Sequence, residues 1–326
     1  MSRKELDECM KDIQKYIEDT RSPKDRINLL KRKIVHLGAD TRKCTLNFKH
    51  IKMLKEHKKK KNRDNKEKLK SAGVFNERIQ STVVNIRYAN NFIKAVLIRT
   101  YVRPNMSVLD LGCGKGGDLI KYNKARISEY YGLDIAELSI YDARLRHNDM
   151  STTFRGYFDY KDVYNEIFDL QKEFDIVSSQ FSLHYAFSTD RSLETTVGNI
   201  NRHLKNNGYF IFTVPNKEEI LRRYNQGRIS NKFYSIRYEG FGNEYYFSLK
   251  DCVNDCVEYF VDIDKLSNML SVYNIRLIRR EMFNEFYRDS IYSNRELARV
   301  MKCKELSYDE MEVISLYEVV VFKRFN

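Results

Sequence analysis

The stretch Ser107–Leu119, SVLDLGCGKGGDL, decides how the rest of the chain is read. Val108, Leu109 and Leu111 make a short apolar strand that runs into glycines at 112, 114, 116 and 117. Glycine lets a backbone turn tightly and approach a ligand without side-chain collision, and the free N–H groups of a following helix favour a phosphate or carboxylate. Gly112, Gly114 and Gly117 spell G-x-G-x-x-G, and Asp110 stands two residues ahead of them. Asp134, in YYGLDIA, comes 20 positions after Gly114 and is placed to accept hydrogen bonds from ribose hydroxyls.

On the carboxyl side of this loop strands and helices alternate. DLIKYNKARI reads as a helix, YYGLDIA as a second strand and ELSIYDARLRHND as a second helix. FDIVSSQFSLHYAF supplies a further buried strand, and SLETTVGNINRHLKNNGYFIFTVPN reads as a helix, a turn at Gly208 and another strand. Strands separated by helices of this length predict a mostly parallel sheet covered on both faces, an α/β fold. Past Lys217, FYSIRYEGFGNEYYFSLKD reads as antiparallel strands, YFVDIDKLSNMLSVYNIRLIRREMF as a helix then a strand, and SLYEVVVFKRF as one long strand.

On the amino side, Phe75–Thr100, with NIRYANNFIKAVLIRT, reads as an amphipathic helix leading to Pro104. Farther upstream, Leu6, Cys9, Met10, Ile13 and Ile17 recur at helical spacing. A second helix is punctuated by Ser22 as cap, Pro23 at its first position and Gly38 after its last turn. The run KEHKKKKNRDNKEKLK, Lys55–Lys70, is too polar to bury anything and reads as a solvated linker or fraying helix, or else as a phosphate-binding arm or nuclear-import signal. This divides the chain into a basic, helical and partly disordered extension, 1–70, and one folded domain, 71–326.

Composition bounds the partners. Among 326 residues, 42% are hydrophobic and 13% aromatic, so the chain has the means to fold, and its net charge of +13 suits a polyanion. Cys9, Cys44, Cys113 and Cys303 are scattered singly, and Cys252 and Cys256 have no second ligand pair nearby, so neither a disulfide framework nor a metal is expected. No apolar run approaches the roughly 20 residues that span a bilayer, and the amino terminus lacks a signal-peptide centre. An intracellular, soluble protein without a membrane partner is the expectation.

The glycine spacing and Asp134 suit a dinucleotide and S-adenosylmethionine alike. Asp110 separates them, because a carboxylate beside the loop repels a pyrophosphate and suits the ammonium and sulfonium of S-adenosylmethionine. With this cofactor in view, VLDLGCGKGGDL resembles the first motif of class I S-adenosylmethionine-dependent methyltransferases. NIRYANNFIKAVLI, the GCGKGGDL form of the loop, SQFSLHYAF and TVPN together resemble the eukaryotic mRNA cap guanine-N7 methyltransferases. Weaker similarity around CVEYFVD and SLYEVVVF extends the likeness from about Phe75 to the carboxyl terminus, with residues 1–70 outside it.

The resemblance implies a Rossmann-like, seven-stranded sheet with one antiparallel strand, and methyl transfer from S-adenosylmethionine to guanine N7 of GpppN-capped RNA. It implies that Lys94 holds the methionyl carboxylate, that Gly112 and Asp118 frame the methionyl moiety and that Asp134 binds ribose. Asp159, or its neighbour Asp162, would reach adenine, with Gln180 and Ser182 lining that pocket. For guanine it implies Tyr185 as an aromatic face, His184 as a donor to O6 and Glu258 as the acceptor of the N1–H and N2–H2 edge. Asn90, Pro215 and Tyr317 match further cap-site positions, while Lys115 and Arg146 are contacts to the triphosphate on charge complementarity alone, or else solvated surface positions. A nuclear protein working beside other capping enzymes or the RNA polymerase II machinery is implied as well.

Guanine N7 already carries an in-plane lone pair and no proton, so attack on a sulfonium methyl needs no general base, nucleophilic side chain or metal. Three rival readings share parts of this pattern: a methyltransferase for another RNA or acceptor, a non-catalytic methyltransferase-like RNA-binding subunit, and an NAD-dependent oxidoreductase. The last has only the glycine spacing and Asp134 in its favour.

Overall fold

A computed structural model of the chain describes residues 81–326. The two amino-terminal helices, the Lys55–Lys70 run, Cys9, Cys44, the boundary at 70/71 and the start of the helix expected from Phe75 lie outside the described residues.

Helix α1, Val84–Tyr101, buries Ile86, Ala89, Phe92, Ile93, Val96 and Leu97 on one face, the stripe that its 3.6-residue period dictates. It stops because Pro104 keeps the preceding residue out of helical conformation; Val102 is already extended, with its N–H on the Ile98 carbonyl. The strands that follow are β1 (Ser107–Leu111), β2 (Glu129–Asp134), β3 (Arg155–Tyr160), β4 (Phe174–Gln180), β5 (Leu204–Pro215), β6 (Tyr234–Arg237), β7 (Glu244–Leu249), β8 (Val253–Tyr259), β9 (Ile275–Met282) and β10 (Tyr317–Arg324). The intervening helices are α2 (Leu119–Lys124), α3 (Glu137–Asp149), α4 (Asp190–His203), α5 (Lys217–Asn225), α6 (Ile263–Ser271), α7 (Phe283–Ser293), α8 (Arg295–Val300) and α9 (Tyr308–Ile314), with a 3-10 turn over Leu183–Ser188.

Seven strands form one sheet in the order β3-β2-β1-β4-β5-β10-β9, in which β10 alone runs against the others. Both faces are buried. Val108, Ile176 and Ile211 pack beneath α1, α2 and α3, whereas Leu109, Val177 and Phe210 pack against α4 and α6. That double burial is why these strands read as continuous apolar runs rather than alternating ones. Strand order reverses between β1 and β4, and in open α/β sheets the crevice at the carboxyl ends of such a pair receives the ligand.

The second sheet, β6-β7-β8, is antiparallel and sends Tyr234, Ile236, Tyr245 and Phe247 into the core on the α1 side. The fold expected from the motifs is therefore the fold observed, with strands β3 and β8 and helices α5 and α7 to α9 unforeseen. Strand β3 buries only Phe158 and shows no alternation, as an edge strand can afford. Helices α7 to α9 fill 283–314, where Phe283, Phe286, Tyr287 and Ser290 do form a helical stripe; Phe92 and Tyr287 meet edge to face across α1 and α7 at 5.8 Å.

Candidate active site at the carboxyl edge of the sheet

The glycine loop is sewn to its surroundings at three points. Gly112 has φ 77°, and a Cβ there would stand 2.4 Å from Ser182 Oγ, so glycine is required. Ser182 Oγ donates to the Leu111 carbonyl at 2.9 Å and shares hydrogen bonds with the Tyr164 and Ser179 hydroxyls, each at 2.9 Å, tying the end of β1 to the turn after β4. Asp134 closes the loop from β2: its Oδ2 accepts from Gly114 N at 2.7 Å and its Oδ1 from Ala136 N at 2.8 Å. Gly114 and Gly117 face open space where a Cβ would stand, which leaves a cradle beside the loop.

Beyond the cradle lies a charged group. Asp118 receives Lys94 Nζ at 2.9 Å on one oxygen and Lys121 Nζ at 2.6 Å on the other, and Lys121 also reaches Asn91 Oδ1 at 3.1 Å. Burial alone would raise the Asp118 carboxyl, but the two ammonium groups outweigh it and hold it at about 2. Asp110, on β1, is buried with one oxygen bonded to the Tyr130 hydroxyl at 2.6 Å and the other unpartnered among the described residues, and burial pushes it up to about 7. A buried carboxyl oxygen left without a partner among the described residues, a carboxylate between two ammonium groups and a glycine cradle together fit the amino-acid end of S-adenosylmethionine.

The adenine-side residues are less exposed to a ligand than expected. The Gln180 amide lies inside the sheet, on Ser178 Oγ at 3.2 Å and the Ile211 carbonyl at 3.3 Å, while the Ser182 hydroxyl is spent within the protein. Asp159 is exposed at the end of β3, where its carboxylate accepts from the neighbouring Tyr160 N–H at 3.0 Å. Asp162 instead folds its own loop, accepting from Tyr164 N and Asn165 N.

A second group gathers between the 3-10 turn, the small sheet and β10. His184 is 3% exposed, neither ring nitrogen has a hydrogen-bond partner among the described residues, and burial pushes it down to about 3, so the imidazole is neutral. Its ring centroid is 4.2 Å from that of Tyr185, which remains 44% exposed. Glu258, on β8, is held by the Tyr245 hydroxyl at 2.6 Å, and burial pushes its carboxyl up to about 7. Burial first, and the Glu258 charge second, raise the phenols of Tyr185, Tyr245 and Tyr317. Tyr317 opens β10 directly opposite Pro215 and packs on Phe181 at 5.2 Å and Phe283 at 5.8 Å. Phe181 itself has φ 59°, rare for an aromatic residue, and this turns the chain from β4 into the site.

Asn90, on α1, has a buried side-chain oxygen without a partner among the described residues. Lys115 pairs with Asp142 at 3.0 Å and Arg146 donates to the Gly116 carbonyl at 3.1 Å, so both are engaged by the glycine loop and α3 rather than by the Tyr185–Glu258 group. Sequence reasoning missed Tyr245, Tyr164 and Lys121. Tyr245 stood in the apolar alternation of NEYYFSL, but only the hairpin register sets it opposite Glu258.

The strand order with its single reversed strand, the glycine loop after β1 and the acidic residue ending β2 define a class I S-adenosylmethionine-dependent methyltransferase. The profile of the mRNA (guanine-N(7))-methyltransferase domain matches residues 50–325, and the chain belongs to that family. The match starts upstream of the Phe75 at which the motif likeness begins. The mRNA cap guanine-N(7) methyltransferase 1 of Arabidopsis thaliana is 33% identical over 285 residues, covering 76% of this chain and 77% of that protein. The mRNA cap guanine-N(7) methyltransferase of Schizosaccharomyces pombe is 35% identical over 228 residues; this chain spans 63% of its length and 63% of this chain is covered. Among solved structures, an S-adenosylmethionine-dependent methyltransferase from Clostridium acetobutylicum overlaps 79% of this chain and 98% of its own at 14% identity and a TM-score of 0.47, but the strand order defines the fold without it. The chain is a member of the cap guanine-N7 methyltransferase family with the class I S-adenosylmethionine-dependent fold, and it spans 63% of the length of the Schizosaccharomyces pombe relative.

Proposed function

We propose that the two groups of residues divide the work, one holding S-adenosylmethionine and the other the guanine of GpppN-capped RNA. The observation that carries this reading is the second group: a buried, neutral His184 and, beside an exposed Tyr185 face, the Glu258 carboxyl, the first with no hydrogen-bond partner and the second with a single one among the described residues. These are the donor, the platform and the acceptor that a guanine edge requires, and adenine has no paired N1–H and N2–H2 donors to offer Glu258.

On the cofactor side, Lys94 and Asp118 can part to take a zwitterion. Lys94 would receive its carboxylate and Asp118 its ammonium, so no net charge is buried and neither partner is orphaned. Gly114 and Gly117 leave room for the ligand beside the loop, Asp134 keeps a free lone pair on each oxygen for ribose, and Asp159 is the exposed candidate for adenine. Gln180 and Ser182 would act mainly by shaping the walls of this pocket. S-adenosylmethionine, when bound, supplies a methyl group activated by positively charged sulfur.

The chain's task is then orientation. Tyr185, His184 and Glu258 fix the guanine plane, Asn90, Pro215 and Tyr317 complete its walls, and Lys115 and Arg146 steer the triphosphate. Because N7 needs no deprotonation, alignment carries the rate, and orientation of this kind can supply about 7–11 kcal/mol.

Residues 1–70 are a basic extension to the 71–326 catalytic domain in this reading, adding RNA affinity through the Lys55–Lys70 run. A nuclear location and association with other capping enzymes or the polymerase II machinery follow from a nascent-transcript substrate; fractionation and co-purification test them.

The deciding experiment is methyl transfer from labelled S-adenosylmethionine to RNA ending in unmethylated GpppA or GpppG, followed by nuclease digestion. Label in 7-methylguanosine supports the reading. Label in another nucleoside discards the guanine-site assignments, and cofactor binding without any transfer favours a non-catalytic subunit.

A further inference from the structure

Glu258 has one hydrogen-bond donor among the described residues, and it comes from inside the molecule. Strands β7 and β8 pair so that Tyr245 lies directly opposite Glu258, and Tyr245 is 1% exposed with its hydroxyl 2.6 Å from Glu258 Oε2. The groups that face this carboxyl from neighbouring elements are phenols: Tyr245 from β7, Tyr185 from the 3-10 turn and Tyr317 from β10. Among the described residues, no lysine or arginine pairs with it.

The charge state of such a carboxyl decides what it can recognise. Ionised, it only accepts, which suits guanine N1–H and N2–H2. Protonated, it donates from one oxygen, which suits the bare N1 of adenine and leaves a guanine donor unmet. We propose that Tyr245 is a specificity-determining positioning residue, whose hydroxyl favours the ionised form of Glu258 and holds Oε2 so that the remaining acceptor positions are presented to guanine. This rests on Glu258 being the guanine acceptor. The short contact to a fully buried hydroxyl is of the charge-assisted kind, stronger to a carboxylate than to a carboxylic acid. Because burial otherwise favours the protonated form, this one donor is the group that opposes it.

The test is Tyr245→Phe in the full chain, which removes one oxygen and keeps the ring that packs on Phe260 at 4.9 Å. KM for GpppA-capped RNA should rise about eightfold at pH 6.5 and by less than about twofold at pH 8.5, because a carboxyl moved up about one pKa unit from about 7 loses most of its ionised fraction at the lower pH and little at the higher. The maximal rate and the Kd for S-adenosylmethionine should stay within about twofold, and the preference for GpppA over IpppA, which lacks the N2 amino group, should shrink. An equal loss at every pH, or a parallel loss of cofactor affinity, would reduce Tyr245 to packing and overturn the proposal. Should the variant fail to fold, the unaltered chain carries the test. Its kcat/KM for capped RNA should show a one-proton acid limb that Glu258→Gln abolishes, and a flat profile overturns the proposal. Unchanged KM in Glu258→Gln would instead remove Glu258 from guanine recognition, and with it the premise.

Discussion

At the scale of single residues the site turns on which polar atoms are spent and which are left over. Glu258→Gln replaces half of an acceptor with a donor facing guanine N–H groups, so KM for capped RNA should rise about 100-fold while calorimetry finds the cofactor Kd unchanged. Tyr185→Ala should cost about tenfold more in KM than Tyr185→Phe, because the ring face rather than the hydroxyl supports the base; equal values for the two would end the stacking role. On the other side of the crevice, Lys94→Met leaves Asp118 with Lys121 alone and no cation for a ligand carboxylate. Cofactor affinity should fall at least tenfold by calorimetry, with cap KM near normal. The Asp118 carboxyl, held at about 2, lies below its unfolded value of 3.8, so its contribution to stability is present above pH 4 and fades as pH falls through about 2. Asp134 was legible from spacing alone, because it lies one strand beyond the glycines; Tyr245 was not, because its partner depends on hairpin register.

Elements set the precision of these contacts. The glycine loop is shaped by φ 77° at Gly112 and by the Ser182 hydroxyl behind it. Gly112→Ala adds a methyl where only 2.4 Å separates it from Ser182 Oγ, on top of left-handed strain of roughly 1–2 kcal/mol. Cofactor affinity should drop more than tenfold, read by calorimetry, and Ser182→Gly in the same chain should recover part of it by clearing the clash. Most of the sheet and its covering helices could be read locally, since apolar runs between glycine turns and amphipathic periods need no knowledge of the rest of the chain. Strand β3 and helices α7 to α9 escaped because one buried residue in six carries no period, and because a helical stripe of aromatic residues looks much like a strand until its partner, α1, is in place.

Across the molecule, the two strands that carry Pro215 and Tyr317 are locked by one buried carboxylate. Glu318 is 1% exposed and accepts from Arg280 Nε at 2.7 Å and Asn216 Nδ2 at 2.9 Å, while Asn216 caps α5 through Glu219 N at 2.7 Å. Arg280→Ala strips the charge partner from a buried group, so stability should fall by about 3 kcal/mol, seen as a lower thermal midpoint. Cap KM should rise with it, since β5 and β10 hold that wall of the site. At the amino end, neutralising Lys58, Lys59, Lys60 and Lys61 should flatten the salt dependence of RNA binding, by up to about 0.7 in slope for each phosphate that no longer has a lysine against it. An unchanged slope would leave the run as a linker.

The amino-acid sequence by itself determined the alternation of strands and helices, the glycine loop with Asp110 and Asp134, and the ordered motifs that carry the family likeness. Each of these is written in residues close together, where propensity, period and turn chemistry act. Only the tertiary structure decided that Asp118 sits between two lysines, that Ser182 is spent on the loop, and that Tyr185, Tyr245 and Tyr317 surround the Glu258 carboxyl. That last group joins four separate elements, and it exists only once burial has brought the elements together and removed the water that would otherwise satisfy each polar atom.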